Sequence, residues 1–271
     1  VLFRSEVYHA AGARLARRGL KQGVADEGGF WPSFKSNEDG LTGIVQAIED
    51  AGLKPGLDVS IALDIAATQL WKNGRYELSL ERRELSAEQW LRMLLRWVET
   101  YPVVSIEDPF EESDAQSMAA FTAEVAGLAL RAQGGRMGAA EAGTKEGAAR
   151  RVQVVGDDFF CTDPVRIKRG IAQGACNTVL VKPNQIGTLS EARAAWETAR
   201  EAGYGAIVSA RSGETEDVSI VHLAIGWGVP QLKVGSFTRS ERMAKWNEGI
   251  RVEEDLGRRA GVYPASRLFR G

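Results

Sequence analysis

Short apolar segments alternate with longer amphipathic segments along most of the chain. The apolar segments are rich in Val and Ile and lie at 59–63, 103–106, 152–155, 178–181, 206–209 and 231–234. Strands that are buried on both faces of a parallel sheet have this composition. The amphipathic segments have helical spacing and lie at 87–99, 163–173, 189–202 and 216–227. We therefore predict repeated βα units, in which helices cover the outside of a parallel sheet.

Capping residues and breaks in the pattern refine these elements. Ser86 is a candidate N-cap, and Gly174 and Gly203 stand where glycines commonly end helices. Residues 1–18 have a helical pattern with no capping residue ahead of it, and the first residue is Val. We therefore expect the chain to be a fragment that lacks an N-terminal part. Residues 134–150 are rich in Gly and Ala and lack periodicity, which indicates a flexible surface insertion.

Composition excludes several classes of protein. The 271 residues include 34 Lys and Arg against 36 Asp and Glu, a formal net charge of −2, which argues against nucleic acid as the main partner. No apolar run reaches the length of a membrane span. The two cysteines, Cys161 and Cys176, cannot form the disulfide framework of a small secreted protein, so we expect a cytoplasmic location.

Charged residues stand at the ends of most predicted strands. They are Asp64, Glu107, Asp157, Lys182 and Lys233. In a βα barrel these ends meet at one rim, where catalytic residues collect. Three carboxylates there would suit Mg²⁺, and two nearby lysines would have a lowered pKa, so that a neutral lysine could accept a proton from carbon. For each residue taken singly, the alternative is a salt bridge at a strand end.

Seven short segments around these residues occur in a characteristic order. They are DEGGF at 26–30, LDIAA at 63–67, SIEDPF at 105–110, VGDD at 155–158, VKPNQIGT at 181–188, RSGETED at 211–217 and RSER at 239–242. Together they resemble the barrel domain of the enolase family. The resemblance implies an α/β fold, a TIM-type (β/α) barrel that spans residues 1–271. This barrel is expected to be incomplete, with about six of the eight strands of a full barrel.

The resemblance also implies roles for the charged residues at the strand ends. Asp64, Glu107 and Asp157 match the carboxylates that hold the first Mg²⁺. Lys182 matches the general base that removes the C2 proton of 2-phosphoglycerate, and Lys233 matches the lysine that contacts the substrate carboxylate. The pairing of a Lys or His base with one or two Mg²⁺ ions is known for enolase-superfamily sites in general.

The remaining implied roles concern the leaving group and the phosphate. Glu27 matches the acid that binds the substrate and helps the C3 hydroxyl to leave, and Arg211 and Ser212 match the phosphate-binding pair. The expected reaction is the glycolytic interconversion of 2-phosphoglycerate with phosphoenolpyruvate and water, by a phosphopyruvate hydratase that forms homodimers. Asp108 and Asp158 are expected to support the metal ligands rather than to bind the ion.

One position departs from the family pattern. The family sequence Ser-His-Arg-Ser-Gly-Glu reads here with Ala210 in place of the histidine, and His9 and His222 lie in helical segments where they cannot replace it. Three hypotheses therefore stay open at this point. The chain belongs to a Mg²⁺-dependent enolase, to an enolase-like paralogue with an altered substrate or little activity, or to a non-catalytic binding protein that kept the barrel.

Overall fold

A computed structural model of the chain describes residues 2–126 and 152–257. The helices are α1 Leu2–Arg17, α2 Asn37–Asp50, α3 Ala87–Thr100, α4 Ala115–Ala126, α5 Pro164–Gln173, α6 Pro183–Ile186, α7 Leu189–Glu201, α8 Ser219–Trp227 and α9 Ser240–Leu256. The strands are β1 Lys21–Val24, β2 Phe30–Pro32, β3 Ile61–Asp64, β4 Trp71–Lys72, β5 Arg75–Leu78, β6 Arg83–Leu85, β7 Val103–Glu107, β8 Gln153–Gly156, β9 Thr178–Val181, β10 Gly205–Ser209 and β11 Gln231–Lys233.

A parallel sheet forms the centre of the fold. Six strands lie side by side in the order β11-β10-β9-β8-β7-β3, and every neighbouring pair is parallel. Helices follow the strands and pack on one side of them, as α7 does on β9 and β10. Strand order follows chain order, as it does around a βα barrel. The predicted fold class is confirmed: the described strands form an α/β half-barrel, which is an incomplete TIM-type barrel.

The two faces of the sheet carry different cores. The main hydrophobic core lies between the sheet and the helices. A separate inner cluster consists of Val155, Leu180 and Ile207, one residue from each of three adjacent strands. On the same inner side, Gln153 of β8 and Gln231 of β11 exchange two hydrogen bonds of 2.9 and 3.2 Å. Because two strands separate β8 from β11, this contact shows that the sheet curls around its inner face.

Helix α3 shows how local sequence produces an element that covers the sheet. Ser86 caps its first turn, and its hydroxyl accepts from the Gln89 N–H while the Gln89 side chain accepts from the Ser86 N–H. Such a capping box satisfies two N–H groups that a helix start leaves unpaired. The helix buries one apolar side, including Trp90 and Leu94, against the main core. The predicted N-cap at Ser86 is confirmed, and the helix ends one residue beyond the predicted range.

Several elements were not predicted. Strands β1 and β2 form an antiparallel hairpin, and β4, β5 and β6 form a small antiparallel sheet. All four residues of β1 are exposed, so this strand carries no alternation of apolar and polar residues. The predicted insertion at 134–150 lies outside the described residues. Within the residues that the structure describes, no helix is both long enough and apolar enough to cross a membrane.

Candidate active site

The carboxyl ends of the parallel strands bring the predicted charged residues to one rim. Asp64 ends β3 and Glu107 ends β7, and the two residues are direct partners in the register of these strands. Asp157 follows β8, Lys182 follows β9, and Lys233 ends β11. Side chains alternate between the two faces of a strand, and Asp157 and Lys182 each lie two positions beyond a member of the inner cluster. Their side chains therefore belong to the inner face of the sheet.

Lys233 joins the two ends of the curled sheet. Its Nζ lies 2.6 Å from Asp64 Oδ2 and 2.8 Å from both carboxylate oxygens of Glu107. Strands β11 and β3 are the first and last in the sheet order, so this contact crosses the open mouth of the half-barrel. The Glu107 side chain is only 6% exposed, whereas that of Asp64 is 47% exposed. The Lys233 ammonium group thus partly neutralises the two neighbouring carboxylates of Asp64 and Glu107.

Lys182 and Asp157 form a second ion pair beside the first. Lys182 Nζ donates to Asp157 Oδ2, and both side chains are largely buried. The backbone N–H of Lys182 donates to the hydroxyl of Thr162 at 3.0 Å, and that hydroxyl donates to Gln185 Oε1 at 2.8 Å. Thr162 is fully buried and holds the backbone from which the Lys182 side chain extends. No signal in the sequence identified Thr162, because a single threonine beside a predicted helix start has no distinctive pattern.

Asp108 holds the turn that carries Asp157. Its two carboxylate oxygens accept from the N–H groups of Asp157 at 2.9 Å and Asp158 at 2.7 Å. Asp108 itself has a φ of 40°, an uncommon conformation for a non-glycine residue. Burial raises the pKa of Asp108 to about 7, although these two N–H donors oppose the increase. These contacts agree with the supporting role that the sequence suggested for Asp108.

The acids around Lys233 change its expected titration. Burial raises the pKa of Glu107, repulsion from Asp64 raises it further, and Lys233 opposes both effects. Burial lowers the pKa of Lys233, but attraction to Glu107 and Asp64 outweighs burial and leaves the pKa above its ordinary value. Carboxylates rather than a second cation lie next to Lys233 in this structure. The predicted lowering presupposes a metal ion bound at this rim, so it stays a prediction.

The donor set at this rim fits a hard divalent cation. Asp157 Oδ1 is buried and has no hydrogen-bond partner among the described residues, so this oxygen has a free coordination position. Asp108, Asp157 and Asp158 each place one carboxylate oxygen within 4.8 Å of the others. Carboxylate oxygens are ligands that Mg²⁺ prefers. This geometric cluster shares only Asp157 with the predicted ligands. The ligand set Asp64, Glu107 and Asp157 stays a prediction.

Glu27 lies in the loop between β1 and β2, with its side chain exposed. Hydrogen bonds fasten this loop next to the end of β11: the Ser236 N–H donates to the Glu27 carbonyl at 2.7 Å, and the Thr238 hydroxyl donates to the Gly28 carbonyl at 2.6 Å. A Cβ at Gly235, where φ is 95°, would lie 2.6 Å from the Glu27 carbonyl oxygen. A glycine there lets the two segments approach.

Arg211 and Ser212 lie in the loop after β10. The Arg211 N–H donates to Glu214 Oε2 at 3.1 Å, and its Nη1 lies 3.3 Å from the amide oxygen of Asn184. The backbone carbonyls of Arg211 and Ser212 both accept from Arg242 at 2.8 Å. Arg242 belongs to the quoted RSER segment, but the sequence suggested no role for it. Its burial in the first turn of α9 became apparent only from the fold.

Ala210 stands between the end of β10 and the Arg211 loop. It is 8% exposed, and its N–H donates to the Lys233 carbonyl at 2.8 Å. Neither of the two histidines lies at this position. His9 is exposed on α1, and His222 on α8 is exposed, with its Nε2 2.9 Å from Glu248 Oε1. Both histidines lie in helices, α1 and α8, as the sequence indicated.

Comparison with protein families agrees with the fold and with the resemblance seen in the sequence. The family model described as "Enolase, C-terminal TIM barrel domain" matches residues 1–131 and 139–269. The match omits 132–138, at the beginning of the predicted insertion. It includes every strand of the curled sheet and every charged residue at the rim. The chain belongs to the enolase family, and it contains the C-terminal barrel domain of that family.

Proposed function

We propose that this barrel supports the reaction of its family, the Mg²⁺-dependent interconversion of 2-phosphoglycerate with phosphoenolpyruvate and water. Family membership supports an enzyme of the lyase kind. The observation that carries the proposal is the pair of lysine–carboxylate contacts at one rim. Lys182 contacts Asp157, and Lys233 contacts Asp64 and Glu107. This arrangement brings a candidate base, a second ammonium group and several carboxylate oxygens, which are candidate metal ligands, to the same rim.

The two lysines would divide the work on the substrate. Lys182, once neutral, would remove the proton from C2, which places additional negative charge on the adjacent substrate carboxylate. Lys233 would bind that carboxylate through its ammonium group, which lies beside Glu107 and Asp64 at the same rim. Mg²⁺, held by Asp157 together with these two acids, would act as a Lewis acid that stabilises the developing charge.

The loops beside the rim would bind the other end of the substrate. Glu27 would donate a proton to the departing C3 hydroxyl. Arg211 and Ser212 would bind the phosphate, for which the planar guanidinium is well suited. Within the described part of the chain, the Arg211 guanidinium has a neutral amide partner at Asn184 and no carboxylate partner, so its charge is available to an anion.

The direct test is the absorbance of phosphoenolpyruvate formed from 2-phosphoglycerate by the full protein, with and without Mg²⁺. We expect Lys182→Ala to lower kcat at least about a hundredfold, since it removes the general base. Lys168→Ala is the matched control, because Lys168 is exposed on α5 and should leave the rate unchanged. Absence of Mg²⁺-dependent product with the unsubstituted protein would overturn the proposal.

Ala210 favours a second candidate, an enolase-like protein with an altered substrate or low activity. A buried alanine next to the Arg211 loop leaves no imidazole where the family pattern has one. If the histidine is what this protein lacks for the family reaction, Ala210→His should raise turnover of 2-phosphoglycerate in the same assay. A rate that stays low and unchanged would count against this second candidate.

A further inference from the structure

Arg242 is a charged side chain placed deep inside the molecule. It lies in the first turn of α9 and is 1% exposed. Across the described ranges 2–126 and 152–257, no carboxylate forms an ion pair with it. Burial of an unpaired charge is costly unless hydrogen bonds replace the lost water. The retention of an arginine at this position therefore requires an explanation in its contacts.

All of the described hydrogen bonds of its guanidinium group go to backbone carbonyls of two loops. Nε and Nη2 donate to the Asp26 carbonyl at 3.3 and 3.2 Å. Nη1 donates to the Arg211 carbonyl and Nη2 to the Ser212 carbonyl, each at 2.8 Å. The planar guanidinium presents its N–H groups in fixed directions, so one side chain can hold both loops at a defined separation.

The surrounding backbone is built to admit this side chain. A Cβ at Gly235 would lie 2.7 Å from Arg242 Cδ and 2.6 Å from the Glu27 carbonyl oxygen. Contacts under 3.0 Å would force one of these groups to move. Gly235 thus leaves the space in which the arginine stem and the Glu27 loop lie against each other.

We propose that Arg242 is a positioning residue, which sets the distance between the loop that carries Glu27 and the loop that carries Arg211 and Ser212. The proposal rests on the proposed function, in which these loops hold the acid and the phosphate site of one substrate. A displacement of either loop would separate the leaving hydroxyl from its acid or the phosphate from its donors. Such small misplacements reduce catalysis strongly.

Native-state hydrogen exchange of the unsubstituted protein tests whether Arg242 couples the two loops. The Gly28 N–H, bonded to the Ala25 carbonyl, reports on the first loop, and the Arg211 N–H, bonded to Glu214, reports on the second. If Arg242 ties the loops together, both amides should exchange through one opening event and show the same dependence on urea. Clearly different opening events for the two amides would overturn the proposal.

Substitution gives the second test. In Arg242→Lys, the single amine can no longer bridge both loops, so amides in 25–29 and in 211–213 should exchange about tenfold faster. Arg239→Lys is the matched control, because Arg239 Nε donates to the Ala25 carbonyl at 3.0 Å and Nη2 lies 3.4 Å from Asp26 Oδ1. It should affect the first loop alone. A change confined to one loop in Arg242→Lys would contradict the proposal.

Kinetics separate positioning from general stability. We expect Arg242→Lys to raise KM for 2-phosphoglycerate and to lower kcat. The Mg²⁺ affinity should stay the same, because the predicted metal ligands lie at the ends of β3, β7 and β8 and not in the two loops that Arg242 holds. Loss of Mg²⁺ affinity in parallel with activity, or unchanged kinetics despite faster exchange in both loops, would overturn the positioning role. If the unsubstituted protein makes no phosphoenolpyruvate, the proposed function fails, whereas the exchange measurements still decide whether Arg242 couples the loops.

Discussion

At the scale of single residues, Asp157 has two oxygens in different situations. One oxygen accepts from Lys182, and the other is buried with no partner among the described residues. A buried carboxylate oxygen without a partner is rare, because burial removes it from water. The turn that places it depends on the two N–H groups held by Asp108. The sequence suggested both residues and the supporting role of Asp108, but not which oxygen would be free.

We expect Asp157→Asn to weaken Mg²⁺ binding at least about tenfold, because it removes a charge and changes the donors at this atom. Isothermal titration calorimetry with Mg²⁺ alone measures the effect. Asp255→Asn is the control, since Asp255 is exposed near the end of α9 and the substitution removes the same charge there. Equal affinities of Asp157→Asn and the unsubstituted protein would contradict the prediction.

We expect the ionisation of Tyr76 to make stability depend on alkaline pH. Burial raises its pKa from 10.0 to about 12. Between these values the unfolded chain loses the phenol proton while the folded protein keeps it, so the free energy of unfolding decreases as pH rises. In Tyr76→Phe this contribution is absent, and stability should fall less steeply between pH 10 and pH 12. Urea unfolding at several pH values measures both slopes, and parallel curves would refute the prediction.

At the scale of elements, the sequence predicted buried strands better than exposed strands. Strand β7 is buried at all five positions, and its Val- and Ile-rich sequence identified it. Strand β1 is exposed at all four positions, so its sequence carries no apolar signal. Helix α5 was recognised from its amphipathic spacing and from Gly174 at its end, and Gly174 is its C-cap in the structure. The N-cap role of Asp163 became apparent only from the structure. Strand β7 and helix α5 were therefore predictable, whereas the exposed hairpin that carries Glu27 was not. Helix α4 was also missed, although it buries Met118 and Phe121 in the main core.

The capping box of α3 should contribute measurably to the free energy of unfolding. Ser86→Ala removes the hydroxyl that accepts from the Gln89 N–H and should lower the free energy of unfolding by about 1 kcal/mol, a Tm decrease of about 2–4 °C. Ser190→Ala is a matched control, because Ser190 is exposed in the first turn of α7 while Thr188 is the cap there. Thermal unfolding should show a clearly smaller change for the control, and equal effects would argue against a capping contribution.

At the scale of the whole molecule, contacts across the inner face hold the curled sheet. The two amide side chains of Gln153 and Gln231 satisfy each other across the width of two strands. Gln153→Leu should lower the free energy of unfolding by about 1–3 kcal/mol, because it leaves the Gln231 amide without its partner. The double substitution Gln153→Leu/Gln231→Leu should cost less than the sum of the single substitutions. Additive costs in urea unfolding would mean that the two side chains are not coupled.

The sequence by itself determined the βα rhythm, the helix caps, the charged strand ends and, through its short motifs, the family. These features are local, because burial and capping leave their mark on neighbouring residues. Only the tertiary structure decided that Lys233 lies between Asp64 and Glu107 and that Arg242 spans two loops. Such contacts join residues that are far apart in sequence. A local sequence pattern cannot specify them, because the distances between these residues depend on how the whole sheet and its loops fold.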